Sequence, residues 1–216
     1  MTNNKGPLYL KLNLDWRYSD DTVMHIATAQ GLVQSNTKEE INVVSKRIAK
    51  EYKKCSKCMG GRAPGKTCMK TLSIIDEEAS NWNKIPYSQL KGGGCGASMR
   101  AACIGLFYRK DLVKLIGVTI ETGRVTHHNP VGYLGALASS YFTYLAIASV
   151  PPERWLTKFF TEALPLAKEH IEKVGREVDL NLKSGQWDKF VDSWKRFAKE
   201  RGLSLNVEEE NHLKLP

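Results

Sequence analysis

Ser19-Asp20-Asp21-Thr22 sets two adjacent carboxylates between two hydroxyls, an all-oxygen donor group of the kind hard metal ions prefer. The apolar residues that follow, Val23, Ile26, Ala27 and Val33, recur at helical spacing, so the acids fall in the first turn of a helix with Ser19 at its N-cap. Capping and favourable interaction with the helix dipole explain the same residues without a ligand, and the four residues alone leave both readings open. A second candidate is Gly92-Gly93-Gly94-Cys95-Gly96, a glycine run just ahead of a predicted helix; such a run leaves backbone N–H groups free for a ligand, or simply makes a tight turn. Cys55-Ser56-Lys57-Cys58 invites zinc, with Cys68 as a third thiol. No second Cys-x-x-Cys or nearby His completes four ligands, so the spacing argues against that site.

Helices must position these groups. Thr37-Lys38-Glu39-Glu40 has the capping-box pattern, and Ile41, Val44, Ile48 and Tyr52 follow at spacings of three and four, which predicts a helix over about 38–54. From Gly60 to Gly96 the chain reads as loops around one short helix near 67–72, and ligand-contacting loops belong there. Helical composition resumes at 97–108; Asp111 opens a helix through Gly123, and a buried helix covers 131–150. Pro151-Pro152 punctuates the chain before helices at 152–164, 165–182 and 187–201. No run alternates with the period of a strand, so the expected class is all-α, as a single domain over 1–216 with no repeat and no linker.

Asp15 to Ala29 resembles the first metal-binding segment of the ADP-ribosylglycohydrolase family, in its ADP-ribosylarginine hydrolase branch. Further matches follow in order: Gly61-Arg62-Ala63-Pro64-Gly65, Gly93 to Leu106, and Gly123-Arg124-Val125-Thr126-His127-His128-Asn129-Pro130 with Gly132 to Ala138. The Pro151-Pro152-x-x-Trp155 turn and the 187–203 stretch also fit, and it is the ordered succession, over about residues 15–203, that is specific. The resemblance implies a compact orthogonal helical domain with two magnesium ions beside the substrate ribose. It implies Ser19, Asp20 and Asp21 as metal ligands, with Asp20 or Asp21 also positioning or deprotonating the attacking water. Gly92, Gly93, Gly94, Cys95 and Gly96 would contact the diphosphate and ribose, His127 would lie near the nucleotide, and His128 and Arg62 carry no firm role. The implied reaction is magnesium-dependent hydrolysis of the N-glycosidic bond between ADP-ribose and a protein arginine.

The composition limits the alternatives. A chain that is 42% hydrophobic and 25% charged over 216 residues suits a globular protein with a real core. Met1 to Pro7 lack the apolar region of a secretory signal, so a cytoplasmic location is expected, and the five cysteines then read as reduced thiols. Asn129 to Pro152 contains no Asp, Glu, Lys or Arg, but Gly, Ala, Ser and Tyr dominate it; the small residues Gly132, Gly135, Ala138, Ser139 and Ala146 point to a core helix rather than a membrane span. The net charge of +9 is concentrated between Lys46 and Lys70, where nine basic residues face the single acid Glu51. This excess could meet nucleic acid, an anionic nucleotide-like ligand or only solvent, and a solvated helix face is the commonest of the three.

The chain departs from the resembled pattern at both ends. An upstream helix with Gly-Asp-Ala-Leu-Gly and a downstream Asp-x-Asp-Ser/Thr segment, which supplies the other metal ligands, have no counterpart, so an incomplete fold and half a metal cage are expected. Two readings follow: a monomeric hydrolase acting on ADP-ribosylated arginine proteins, or a non-catalytic module that still binds ADP-ribose or a partner.

Overall fold

The computed structural model describes residues 18–88, 91–175 and 185–206. Among them the regular structure is helical throughout and no strand occurs. Helix α1 (Asp20–Val33) and helix α2 (Ile41–Cys55) pack against each other, and α2 also lies on α5 (Leu112–Arg124). α5 is the centre of the fold, with every residue from Leu115 to Arg124 buried. Its other neighbours are α6 (Pro130–Ile147) and α8 (Leu164–Lys173). The short helices α3 (Lys66–Ile74), α4 (Ala102–Phe107) and α7 (Trp155–Lys158) fill the gaps, and α9 (Gln186–Arg201) closes on α6. Phe142, Trp155, Phe159, Phe190 and Trp194 hold this last contact through an aromatic cluster.

Local chemistry sets the helix starts. Asp111 Oδ1 accepts from Lys114 N at 3.0 Å and Asn129 Oδ1 from Val131 N at 3.0 Å, with Pro130 in the first turn of α6. α2 begins three residues later than its capping-box pattern predicts. The reciprocal bonds form on Asn36 instead of Thr37, Asn36 N donating to Glu39 Oε1 and Lys38 N to Asn36 Oδ1, so residues 36–39 are spent on a turn and Glu40 takes the N-cap.

Two other predicted helices come out differently. The stretch 97–108 divides into a 3-10 turn, Cys95–Arg100, and α4, with the break at Ala101. The expected boundary between residues 164 and 165 is no boundary: α7 runs through a π turn at Phe159–Ala163 directly into α8. Pro165 cannot donate to a carbonyl one turn back and its ring crowds that carbonyl; a widened turn just before it lets the helix continue. Of the predicted 165–182 helix, residues 176–182 lie outside the described residues.

α6 is buried along most of its length, although Ala146 is exposed. Among the described residues no helix is long and apolar enough to cross a membrane. Three of the nine basic residues of the Lys46–Lys70 segment meet acids from elsewhere: Arg47 pairs with Glu39 at 2.8 Å, Lys50 with Glu78 at 2.6 Å and Lys57 with Glu77 at 2.8 Å. Surface pairs of this kind contribute little stability.

Candidate active site

Ser19 stands at the N-cap of α1 in extended backbone, yet its side chain caps nothing. Its hydroxyl donates to Asp21 Oδ2 at 3.1 Å. Ser19 and Asp21 are exposed and Asp20 is half-buried. Burial pushes the thiol of Cys68, on α3, upward, and the charge of Asp20 adds to the same direction. Arg62, just ahead of α3, lies over the Tyr18 ring at 4.6 Å.

The glycine loop lies against the turn that joins α5 to α6. Gly92 has φ +86° and is buried, whereas Gly93, Gly94 and Cys95 are exposed. Side chains are excluded where the loop meets the turn. A Cβ on Gly96 would sit 2.6 Å from His127 Cε1, and one on Gly132 would sit 2.0 Å from the Gly92 carbonyl oxygen. The α-helix expected after the loop is replaced by the six-residue 3-10 turn, whose short run of peptide dipoles gives no macrodipole to lean on. Any anion at this loop would be held by individual N–H groups.

His127 is 4% exposed, and burial together with the charge of Arg100 pushes its pKa down to about 3, so the ring is neutral. His128 has a different task. Its Nδ1 lies 2.7 Å from the Ile85 carbonyl oxygen and its ring meets Tyr87 edge-on, while Asn129 Nδ2 donates to Ser88 O at 2.9 Å. These contacts tie the 85–88 loop to the same turn. Beside it lies a cleft of about 460 Å³ lined by Lys66, Lys70, Ile85, Lys91, Gly92 and His128. Gly92 is the one predicted site residue on its lining; Ser19, Asp20 and Asp21 are not on it.

Sequence reasoning missed what lies beneath. Arg100, 1% exposed, places its guanidinium 4.1 Å from the Tyr52 ring centre and donates from Nη2 to Thr122 O at 2.9 Å and Thr126 Oγ1 at 2.8 Å. Thr126 Oγ1 lies 2.7 Å from His127 Nδ1, and Arg100 Nη1 faces Cys68 Sγ at 3.9 Å. This buried cation therefore links α2, α3, α5 and the His127 turn. The available signal was a single arginine in the otherwise apolar run Ala97 to Leu106.

Among the described residues no group of three or more His, Cys, Asp and Glu side chains could hold a metal. Ser19, Asp20 and Asp21 suit a hard divalent cation by donor type, being all oxygen, but need additional oxygens from outside this group. The five thiols are dispersed, and burial pushes Cys55 up to about 12 and Cys103 up to about 11.

The family model for ADP-ribosylglycohydrolase matches residues 5–210. The chain is 42% identical over 211 residues to the ADP-ribosylhydrolase ARH1 of Dictyostelium discoideum, an alignment covering 93% of this chain and 53% of that protein. It is 31% identical over 194 residues to an ADP-ribosyl glycohydrolase-like protein of Acanthamoeba polyphaga mimivirus, covering 83% of this chain and 37% of the relative. With the ADP-ribosylhydrolase ARH3 of Gallus gallus it shares 30% identity over 132 residues, 60% of this chain and 35% of the other. This chain belongs to the ADP-ribosylglycohydrolase family. It spans between about a third and a half of the length of these curated relatives.

Proposed function

We propose that the chain hydrolyses the N-glycosidic bond between ADP-ribose and a protein arginine, with magnesium held in part by Ser19, Asp20 and Asp21. The observation that carries the reading is the packing of the Gly92–Gly96 loop onto neutral His127 beside a cleft rimmed by Lys66, Lys70 and Lys91. Lysines beside a glycine-rich loop suit a diphosphate, and the apolar wall supplied by Ile85 and Pro86 suits the flat face of a base. The 42% identity to an ADP-ribosylhydrolase supports ADP-ribose as the ligand.

Each chain residue has a defined task in this reaction. The loop N–H groups and His127 orient the nucleotide, and Asp20 or Asp21 holds the attacking water and takes its proton. Magnesium, which Ser19, Asp20 and Asp21 would help to hold, would supply orientation of the ribose hydroxyls and stabilisation of developing charge. The test is release of ADP-ribose from an arginine-modified protein with magnesium added. Release should fall by at least two orders of magnitude in Asp20→Asn or Asp21→Asn, the scale of a lost acid–base group. No release by the chain, alone or extended with the additional segments of the amoebal relative, would refute the reading.

The absence of a further carboxylate beside Asp20 and Asp21 among the described residues favours a second reading, an ADP-ribose-binding module without turnover. Calorimetry separates the two. Binding that is unaffected by magnesium supports the module; tight magnesium-coupled binding supports the hydrolase. The nucleic-acid reading is weakened where Arg47, Lys50 and Lys57 are paired with acids, and salt-independent association with DNA or RNA would dismiss it.

A further inference from the structure

We propose that Arg100, acting through Thr126, is a positioning residue that fixes His127 as its Nε2–H tautomer, so that the imidazole offers a hydrogen-bond donor to oxygen acceptors at the Gly92–Gly96 loop. The ligand it meets rests on the function proposed above; the tautomer is a property of this chain.

The argument is one of donors and acceptors. A guanidinium can only donate. Arg100 is fixed by the Tyr52 ring and the Thr122 carbonyl, and it spends a third contact on Thr126 Oγ1. That oxygen has one remaining lone pair and one proton, and His127 Nδ1 lies 2.7 Å away. If Nδ1 carried the ring proton it would fill the remaining lone pair. The threonine proton would then have to turn to the Cys68 thiol, a weak acceptor that burial keeps protonated and that already faces Arg100 Nη1. If Nδ1 is bare, the threonine O–H donates to it, and both the Thr126 hydroxyl and His127 Nδ1 have a strong partner. The ring is neutral, because burial and the Arg100 charge both disfavour imidazolium, so its single proton must then sit on Nε2.

The Nε2 edge faces the glycine loop. Added carbon atoms on Gly96 and Gly94 would lie 2.9 and 3.9 Å from it. The two bonds run in one direction, from guanidinium to hydroxyl and from hydroxyl to Nδ1, and the first polarises the second. His127 thus acts as a donor that selects phosphate or hydroxyl oxygens, and it takes no proton during the reaction.

Two-dimensional 15N–1H NMR of the histidine-labelled full chain reads the tautomer directly, without ligand. The expected result is the Nε2–H pattern for His127 in the native protein, loss of that single pattern in Thr126→Val, and its recovery in Thr126→Ser, which keeps the hydroxyl. A native Nδ1–H pattern, or an unchanged pattern in a folded Thr126→Val, would overturn the proposal. ADP-ribose affinity is measured on the same proteins, with Thr126→Val expected to bind about tenfold more weakly than native and Thr126→Ser within about twofold. A native chain that shows the Nε2–H pattern but binds no ADP-ribose refutes the proposed function and leaves the tautomer assignment standing.

Discussion

Arg100 and Arg124 are both 1% exposed and both lie over a tyrosine, Tyr52 at 4.1 Å and Tyr133 at 5.0 Å, but their charges are handled differently. Arg124 Nη1 meets Glu121 Oε1 at 2.8 Å, and His170 Nε2 reaches the same oxygen at 3.0 Å. Among the described residues the Arg100 guanidinium donates to neutral groups, the Thr122 carbonyl, the Thr126 hydroxyl and, more weakly, the Cys68 thiol. A paired buried cation is electrically silent at a distance. An unpaired one projects a positive field, and Arg100 projects its field toward His127 and the glycine loop. The contrast teaches that burial of charge alone does not mark a site; burial without a countercharge does, because the protein bears the desolvation cost for something other than stability.

The largest test of this contrast is to break the compensated side. Glu121→Ala leaves Arg124 buried without its carboxylate and should cost about 3–5 kcal/mol in urea unfolding. Arg100→Met should cost less, about 2 kcal/mol, because the lost hydrogen bonds and ring contact are partly offset by removal of an uncompensated charge. In the same variant the His127 pKa should move up from about 3, as NMR titration would show, since one of its two causes is gone. A larger loss for Arg100→Met than for Glu121→Ala would invert the comparison.

The field of Arg100 also gives a pH signature. The folded-state pKa of His127 is depressed to about 3 from an ordinary 6.5, so the unfolded chain binds a proton that the folded chain refuses. The contribution is fully present above about pH 6.5 and declines as pH falls toward 3, by about 1.4 kcal/mol per pH unit from this group. Urea unfolding at pH 7, 6 and 5 should show the decline, and His127→Gln should flatten it. A native slope unchanged by His127→Gln would show that the ring is not held neutral.

The smallest effect on stability belongs to the acids at the start of α1. Asp20→Asn and Asp21→Asn should change unfolding free energy by no more than about 0.5 kcal/mol, since neither is fully buried and neither caps α1 through Ser19. Magnesium titration should nonetheless lose most of its signal in both. Unchanged magnesium binding would show that these carboxylates are not ligands.

The elements were legible in the sequence wherever the signal was local. Asp111 announces α5 because a short oxygen-bearing side chain satisfies the first N–H groups of a helix, and Val44, Ile48 and Tyr52 mark the buried face of α2 by spacing alone. The same local grammar misled at Thr37, where Asn36 competed for the turn, and at Pro165, where a π turn absorbed a residue that ordinarily stops a helix. The motif residues Ser19, Asp20, Asp21, Gly92 to Gly96 and His127 were legible as a set only through their ordered resemblance to one family.

The sequence by itself determined the all-helical class, the family and the residues that touch one another along the chain, because capping, periodicity and glycine content act over a few positions. Only the tertiary structure decided that Arg100 is buried without an ion-pair partner among the described residues, that Thr126 stands between it and His127, and that Gly96 is bare because an imidazole occupies the space of its side chain. Arg100, Tyr52 and Thr122 lie far apart in sequence and meet only once the helices pack. No local pattern encodes the field at one point in the core, which is a sum over charges brought together by folding.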